Sequence, residues 1–167
     1  SPKAKGQDIP LRFQHLGPRE GLSQSTSRTL FRDSRGFMWV GTAGGLNRFD
    51  GNQVKVYAPV LNDSTSLADP YILGPMFEDA AGNLWFATAN AVHCYQRTTD
   101  NFRRFPLAAD NPEPEPVQLD AQGILWVCGA GTVYQLDTRT ALNPDARTSP
   151  HFVPIGQATG SRFSYLE

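Results

Sequence analysis

One seven-residue phrase occurs three times along this chain, and it restricts the possible folds more than any other feature. Gly36-Phe37-Met38-Trp39-Val40-Gly41-Thr42 returns as Gly82-Asn83-Leu84-Trp85-Phe86-Ala87-Thr88, and again as Gly123-Ile124-Leu125-Trp126-Val127-Cys128-Gly129. An aspartate stands three positions before each leading glycine, at Asp33, Asp79 and Asp120. A unit of about 40–50 residues that recurs with such fidelity cannot bury its own faces, so it stacks on copies of itself.

The runs within each unit are short and alternate, which is strand patterning. In the first unit, residues 26–32 read as a strand and Asp33-Ser34-Arg35-Gly36 as a tight turn closed by glycine. Residues 37–42 and 46–49 follow as strands, Asp50-Gly51 is a hairpin signal, and residues 53–57 make a fourth strand. The second unit predicts strands at 71–78, 84–88, 92–96 and 101–105. The third is expected to place its third strand at 132–136 and its last at 152–155. The predicted fold class is all-β, a partial β-propeller of about three four-stranded antiparallel blades plus flanking strands. Blade 1 is expected at about 26–57, blade 2 at about 70–105 and blade 3 at about 113–155. Residues 161–167 read as the first strand of a further blade, and 10–16 as an orphan outer strand. Three blades do not close a ring of four to eight, and an open array leaves bare strand edges. The chain is therefore expected to be a portion of a longer protein, or to close by association of copies.

Prolines mark the innermost strands. Pro75 and Pro116 each lie four residues before a turn aspartate, and Pro114 lies on the same parity. Proline lacks a ladder donor and is tolerated on an edge, so the three positions are expected to face a central channel together.

Composition excludes several classes. With 15 Lys and Arg against 16 Asp and Glu the formal net charge is −1, and no basic run supplies a nucleic-acid footprint. No apolar stretch approaches the ~18 residues that span a bilayer. The polar start lacks a targeting core, so if the protein is exported its signal is expected to have been removed already or not to be included in this sequence. Cys94 and Cys128 fall on different strands of different repeats and are expected to stay unpaired. His15, His93 and His151 are isolated, lack metal-ligand spacing, and read as surface or interface residues. No serine sits in a nucleophile elbow. No catalytic residue, cofactor or metal site is predicted.

The residues from Gly21-Leu22-Ser23 through Leu30-Phe31-Arg32-Asp33 to Asn47-Arg48-Phe49-Asp50-Gly51 closely resemble the two-component regulator propeller repeat. The segment Asn62-Asp63-Ser64-Thr65-Ser66-Leu67 is similar to the blade-to-blade linker common in that family. The likeness weakens in the third repeat, where prolines enter the inner strand and Cys128-Gly129 replaces a Gly-Thr pair. It implies a periplasmic or extracytoplasmic sensor region of a bacterial hybrid two-component regulator, with kinase activity in domains absent from this sequence. A small-molecule or oligosaccharide ligand is implied, together with further blades of the same protein or other copies of the chain as partners. Two other readings stand beside this one: a propeller binding module that closes by oligomerisation, and part of a propeller enzyme whose catalytic blades lie elsewhere.

The tryptophans invite a sugar-stacking role, yet one interior-strand position repeated three times is what packing between blades demands. Trp39, Trp85 and Trp126 are expected to be core. Gly36, Gly82 and Gly123, with Asp33, Asp79 and Asp120, are expected to be turn chemistry. A ligand site belongs in loops held by rigid blades. The loops at 42–45, 88–91 and 129–131 share a face with the linkers at 59–69 and 108–112. Arg28, Thr42, Ala43, Tyr71 and Asn90 are the candidate ligand-binding residues on that face.

Overall fold

The computed structural model describes residues 15–107, 114–129, 131–143 and 152–157, with the side chains of the last segment described at 152–155. The chain forms three four-stranded antiparallel sheets in sequence order. The first contains β1 (Ser27–Arg32), β2 (Met38–Thr42), β3 (Gly45–Phe49) and β4 (Val54–Tyr57). The second contains β5 (Ile72–Glu78), β6 (Leu84–Thr88), β7 (Val92–Gln96) and β8 (Asn101–Phe105). The third contains β9 (Glu115–Leu119), β10 (Ile124–Gly129), β11 (Thr132–Asp137) and β12 (Val153–Gln157). Each sheet is a meander, so its first and fourth strands are its edges. β1, β5 and β9 lie side by side, which places the first strand of each sheet innermost. The architecture is the partial β-propeller that the repeats predict.

Side chains on alternate sides of one strand serve two different interfaces. The Trp39 face of the first sheet meets the Leu84 and Phe86 face of the second, with Leu46, Tyr57, Tyr95 and Phe102 in the same core. The opposite face of the second sheet, carrying Trp85 and Cys94, packs on Leu125, Val127 and Leu136 of the third. Trp39 and Trp85 are 0% exposed. Trp126 is only half-buried, because no further sheet covers its face among the described residues. Truncating either buried indole to alanine costs about 3–5 kcal/mol.

The inner strands depart from regular pairing. In β1, Ser27 lies opposite Thr42 and Thr29 opposite Gly41, which leaves Arg28 as an extra residue. In β5 the register shifts between Leu73 and Phe77. In β9 it shifts around Val117, between Pro116 and Gln118. The one extra residue of β9 reverses the alternation beyond it, whereas β5 takes four steps against two on its partner and keeps it, with Pro75 inside the irregular stretch. Pro75 is exposed, whereas Pro114 and Pro116 are buried. The prolines do mark edge strands, but they do not share one channel-facing environment.

Other differences are local. A short helix, α1 (Thr138–Ala141), follows β11 and is capped by Asp137, whose side chain accepts from the Arg139 amide. β12 begins and ends later than the predicted 152–155 strand. Of the segment 10–16, His15 and Leu16 are not in a strand and the remainder lies outside the described residues, as do 161–167.

Candidate functional site

Successive connections of a meander lie at opposite ends of the sheet. The β1–β2, β5–β6 and β9–β10 turns share one end, here the turn end. The β2–β3 and β6–β7 loops share the other with the segment from β4 to β5, here the linker end.

At the turn end, one device is built three times. Asp33 Oδ1 accepts from the amides of Arg35 and Phe37 at 3.0 and 2.9 Å, and Oδ2 accepts from the Trp39 indole at 2.8 Å. Asp79 does the same for Ala81, Asn83 and Trp85. Asp120 repeats it for Gln122, Ile124 and Trp126. The Asp-to-Trp spacing thus ties each turn to the buried indole. Gly36, Gly82 and Gly123 have φ of 90, 82 and 81°, a conformation glycine adopts without a Cβ penalty. The predicted turn chemistry is therefore joined by an indole partner that turn rules alone do not foresee.

The first two sheets are latched across their junction. Arg97 donates to Asp33 Oδ2 and to Glu78 Oε1, each at 2.8 Å, and also to the Gly82 carbonyl. Glu78 in turn accepts from the amide and hydroxyl of Ser34. Burial opposes the charge on Asp33, but hydrogen bonds from Trp39 and Arg97 outweigh it and hold the carboxyl below its ordinary range. Thr138 takes the place of Arg97 at the next junction, and its hydroxyl donates to the Gly123 carbonyl at 2.8 Å. A cleft of about 550 Å³, lined in part by Asp79, Ala80, Asn83, Gln122 and Arg139, opens there.

A second cluster joins the same two sheets. Asp100, with φ of 55°, accepts from Tyr57 at 2.6 Å, from Tyr95 at 2.5 Å, and from Lys55. Burial raises its pKa, and the hydrogen bonds from Lys55, Tyr57 and Tyr95 override that effect and bring it down to about 2.

The linker end carries the predicted ligand rim. The segment from β4 to β5 is held by Arg104 of β8, which donates to the carbonyls of Asp63, Ser66 and Leu67. His93 of β7 is 0% exposed and accepts at Nε2 from the Ala68 amide at 3.0 Å, while Nδ1 lies 3.1 Å from the Ala91 carbonyl. That pair of partners selects the neutral ring protonated at Nδ1. Burial drives the pKa of His93 down to about 4. His93 is therefore a buried anchor of the linker and not a surface histidine; only its place on a strand two residues past the β6–β7 loop hinted at this.

Beyond the anchored stretch, Asp69 accepts from the Tyr71 amide. The Arg28 guanidinium lies over the Tyr71 ring, 4.2 Å from its centroid. Two of the candidate residues, distant in sequence, thus meet. Asn90 is exposed on the β6–β7 loop, and Ala43 is half-buried with its amide bound to Gln24. Thr42 is 0% exposed; its hydroxyl bonds to Ser23, to the Gly45 carbonyl and to the Gly44 amide. It shapes the β2–β3 loop from beneath and does not reach the rim. Asn47, also 0% exposed, accepts from the Ser23 amide and donates to the Val40 carbonyl, fastening the entering chain to the first sheet.

Cys94 is buried and Cys128 half-buried, both as free thiols. Among the described residues, no three His, Cys, Asp or Glu side chains converge as a metal site, and no helix is long and apolar enough to cross a membrane.

Residues 21–44 match the family model described as two component regulator propeller. A stretch of 64 residues is 42% identical to a protein named histidine kinase P4 from Formosa agariphila, covering 38% of this chain and 5% of that protein. The fold is similar to a crystal structure described as the extracellular domain of a hybrid two component system from B. thetaiotaomicron. That likeness has a TM-score of 0.65 and 26% identity over 76% of this chain and 19% of the other. A second extracellular domain from the same organism, at 23% identity and a TM-score of 0.58, has the same fold over 78% of this chain and 18% of its own. The chain thus spans under a fifth of the length of each of these relatives.

Proposed function

We propose that this chain, which carries a two-component regulator propeller repeat, is part of an extracytoplasmic ligand-sensing propeller of a two-component signalling protein. The ligand is a carbohydrate, and the segment has no catalytic role of its own. Its partners are the ligand and the further blades that continue the stack beyond the half-covered Trp126 face.

The observation that carries this reading is the Arg28–Tyr71 pair at the linker end. It sits where the innermost strand emerges and where Arg104 and His93 immobilise the neighbouring linker. A polar, aromatic rim on a rigid scaffold suits recognition of a small polar ligand. The likeness to domains described as extracellular, from hybrid two component systems, supports the signalling context. Signal would arise from differential affinity for two arrangements of the receptor.

Calorimetric titration of the complete extracytoplasmic region with an oligosaccharide panel tests the proposal. Replacing Arg28 and Tyr71 together with alanine is expected to weaken binding without changing the melting temperature. Unchanged affinity would remove this rim from the ligand site.

A further inference from the structure

The rim has a chemical bias that narrows the ligand, and the argument rests on the reading of Arg28 and Tyr71 as ligand-facing. Arg28 is the extra residue of the β1 bulge, between the Ser27–Thr42 and Thr29–Gly41 pairs. Bulges re-aim a side chain and are enriched beside functional sites. Here the side chain is aimed across the gap between sheets, onto the ring of Tyr71. The main chain at Tyr71 is itself held by the Asp69 carboxylate, which accepts from the Tyr71 amide at 2.8 Å.

Other arginines at sheet junctions are used up by the fold. Arg97 is paired with Asp33 and Glu78, Arg104 with linker carbonyls, and Arg48 with Asp100. Arg28 is exposed, and no carboxylate of the described residues pairs with it. Stacking on an aromatic ring engages the flat face of a guanidinium and leaves its in-plane N–H fork open. That fork matches the two oxygens of a carboxylate or sulfate. A neutral sugar hydroxyl offers the fork a single oxygen and no opposite charge.

We infer that Arg28, bulged from β1 and stacked on Tyr71, is the anion-recognising residue of the rim, and that the ligand is an acidic oligosaccharide bearing carboxylate or sulfate groups.

The test titrates the complete extracytoplasmic region with carboxylated, sulfated and neutral oligosaccharides of matched length, together with the methyl ester of each carboxylated one. At least one anionic member is expected to bind, and its neutral ester to bind at least about tenfold more weakly. Affinity should fall as salt is raised, because the contact is solvent-exposed. Arg28→Gln is expected to remove the preference for anions, and Arg28→Lys to restore part of it, since the charge returns without the fork. Melting temperatures of both variants report whether the fold is intact.

Binding confined to neutral sugars, absence of any anionic binder, or anion binding unaffected by Arg28→Gln each overturns the inference. The two readings separate through Tyr71→Ala and Asn90→Ala. If these abolish binding of a neutral sugar while Arg28→Gln does not, the rim stands and only its anion preference falls. If all three leave binding unchanged, both fall.

Discussion

The aspartates of the three turns look alike in sequence and differ in what they hold. Asp33 is 4% exposed and binds an amide pair, an indole and the Arg97 guanidinium. Asp120 makes the local contacts but, among the described residues, has no guanidinium across a junction. Asp33→Asn is therefore expected to destabilise by about 1.5–3 kcal/mol, the scale of a charged hydrogen bond, since it removes one of the two carboxylates that pair a nearly buried arginine. Asp120→Asn is expected to cost about 1 kcal/mol, the scale of a hydrogen bond. Urea unfolding midpoints of the two variants check the difference, and equal shifts would contradict the latch. His93 makes a prediction in pH. Its folded pKa of about 4 lies below its ordinary 6.5, so in that window the unfolded chain binds a proton that the folded chain refuses. Stability should fall as pH drops from about 6.5 to 4, by up to roughly 3 kcal/mol. His93→Gln keeps an acceptor for the Ala68 amide without a titrating ring and should flatten that slope. Asp100 acts lower: its pKa is depressed to about 2 from 3.8, so its stabilisation is present above pH 3.8 and disappears as pH falls towards 2.

At the scale of elements, the junction between the first two sheets has no spare room at Gly41. A Cβ there would lie 2.5 Å from Thr29 Cγ2 and 2.7 Å from Ile72 Cγ2. Gly41→Ala is expected to destabilise by about 1–3 kcal/mol through overpacking, read in the same urea titration. The aligned positions carry Ala87 and Cys128, so the larger side chains appear where the following face differs. The linker offers a second test. Arg104 meets several carbonyls of 63–67, and Arg104→Ala should raise amide exchange throughout that segment while leaving β5–β8 protected. Mass-spectrometric hydrogen exchange resolves this; equal protection in the variant would show that His93 and the 2.8 Å bond from the Phe102 amide to the Thr65 carbonyl suffice.

At the scale of the molecule, the stack has direction. Each sheet presents its tryptophan to the next, and burial follows that order, complete at Trp39 and Trp85 and partial at Trp126. In single-tryptophan variants of this chain, Trp126 is expected to be quenched by acrylamide more strongly than the other two. In a protein that continues the stack, that difference should vanish. Equal quenching in this chain would mean that the outer face of the third sheet is covered.

The sequence by itself determined the strands, the turns and the repeat, because these depend on local alternation, on aspartate and glycine chemistry and on a period that can be counted. It also placed Arg28 and Tyr71 at one end, since alternate connections of a meander must lie at opposite ends. Only the tertiary structure decided which candidates face outward. Thr42 lies beneath its loop, His93 lies inside the junction, and the irregular stretches of β5 and β9 give the prolines different surroundings. Each of these outcomes depends on contacts between residues far apart in the chain, where packing and hydrogen-bond satisfaction across the sheet junction outweigh local preference.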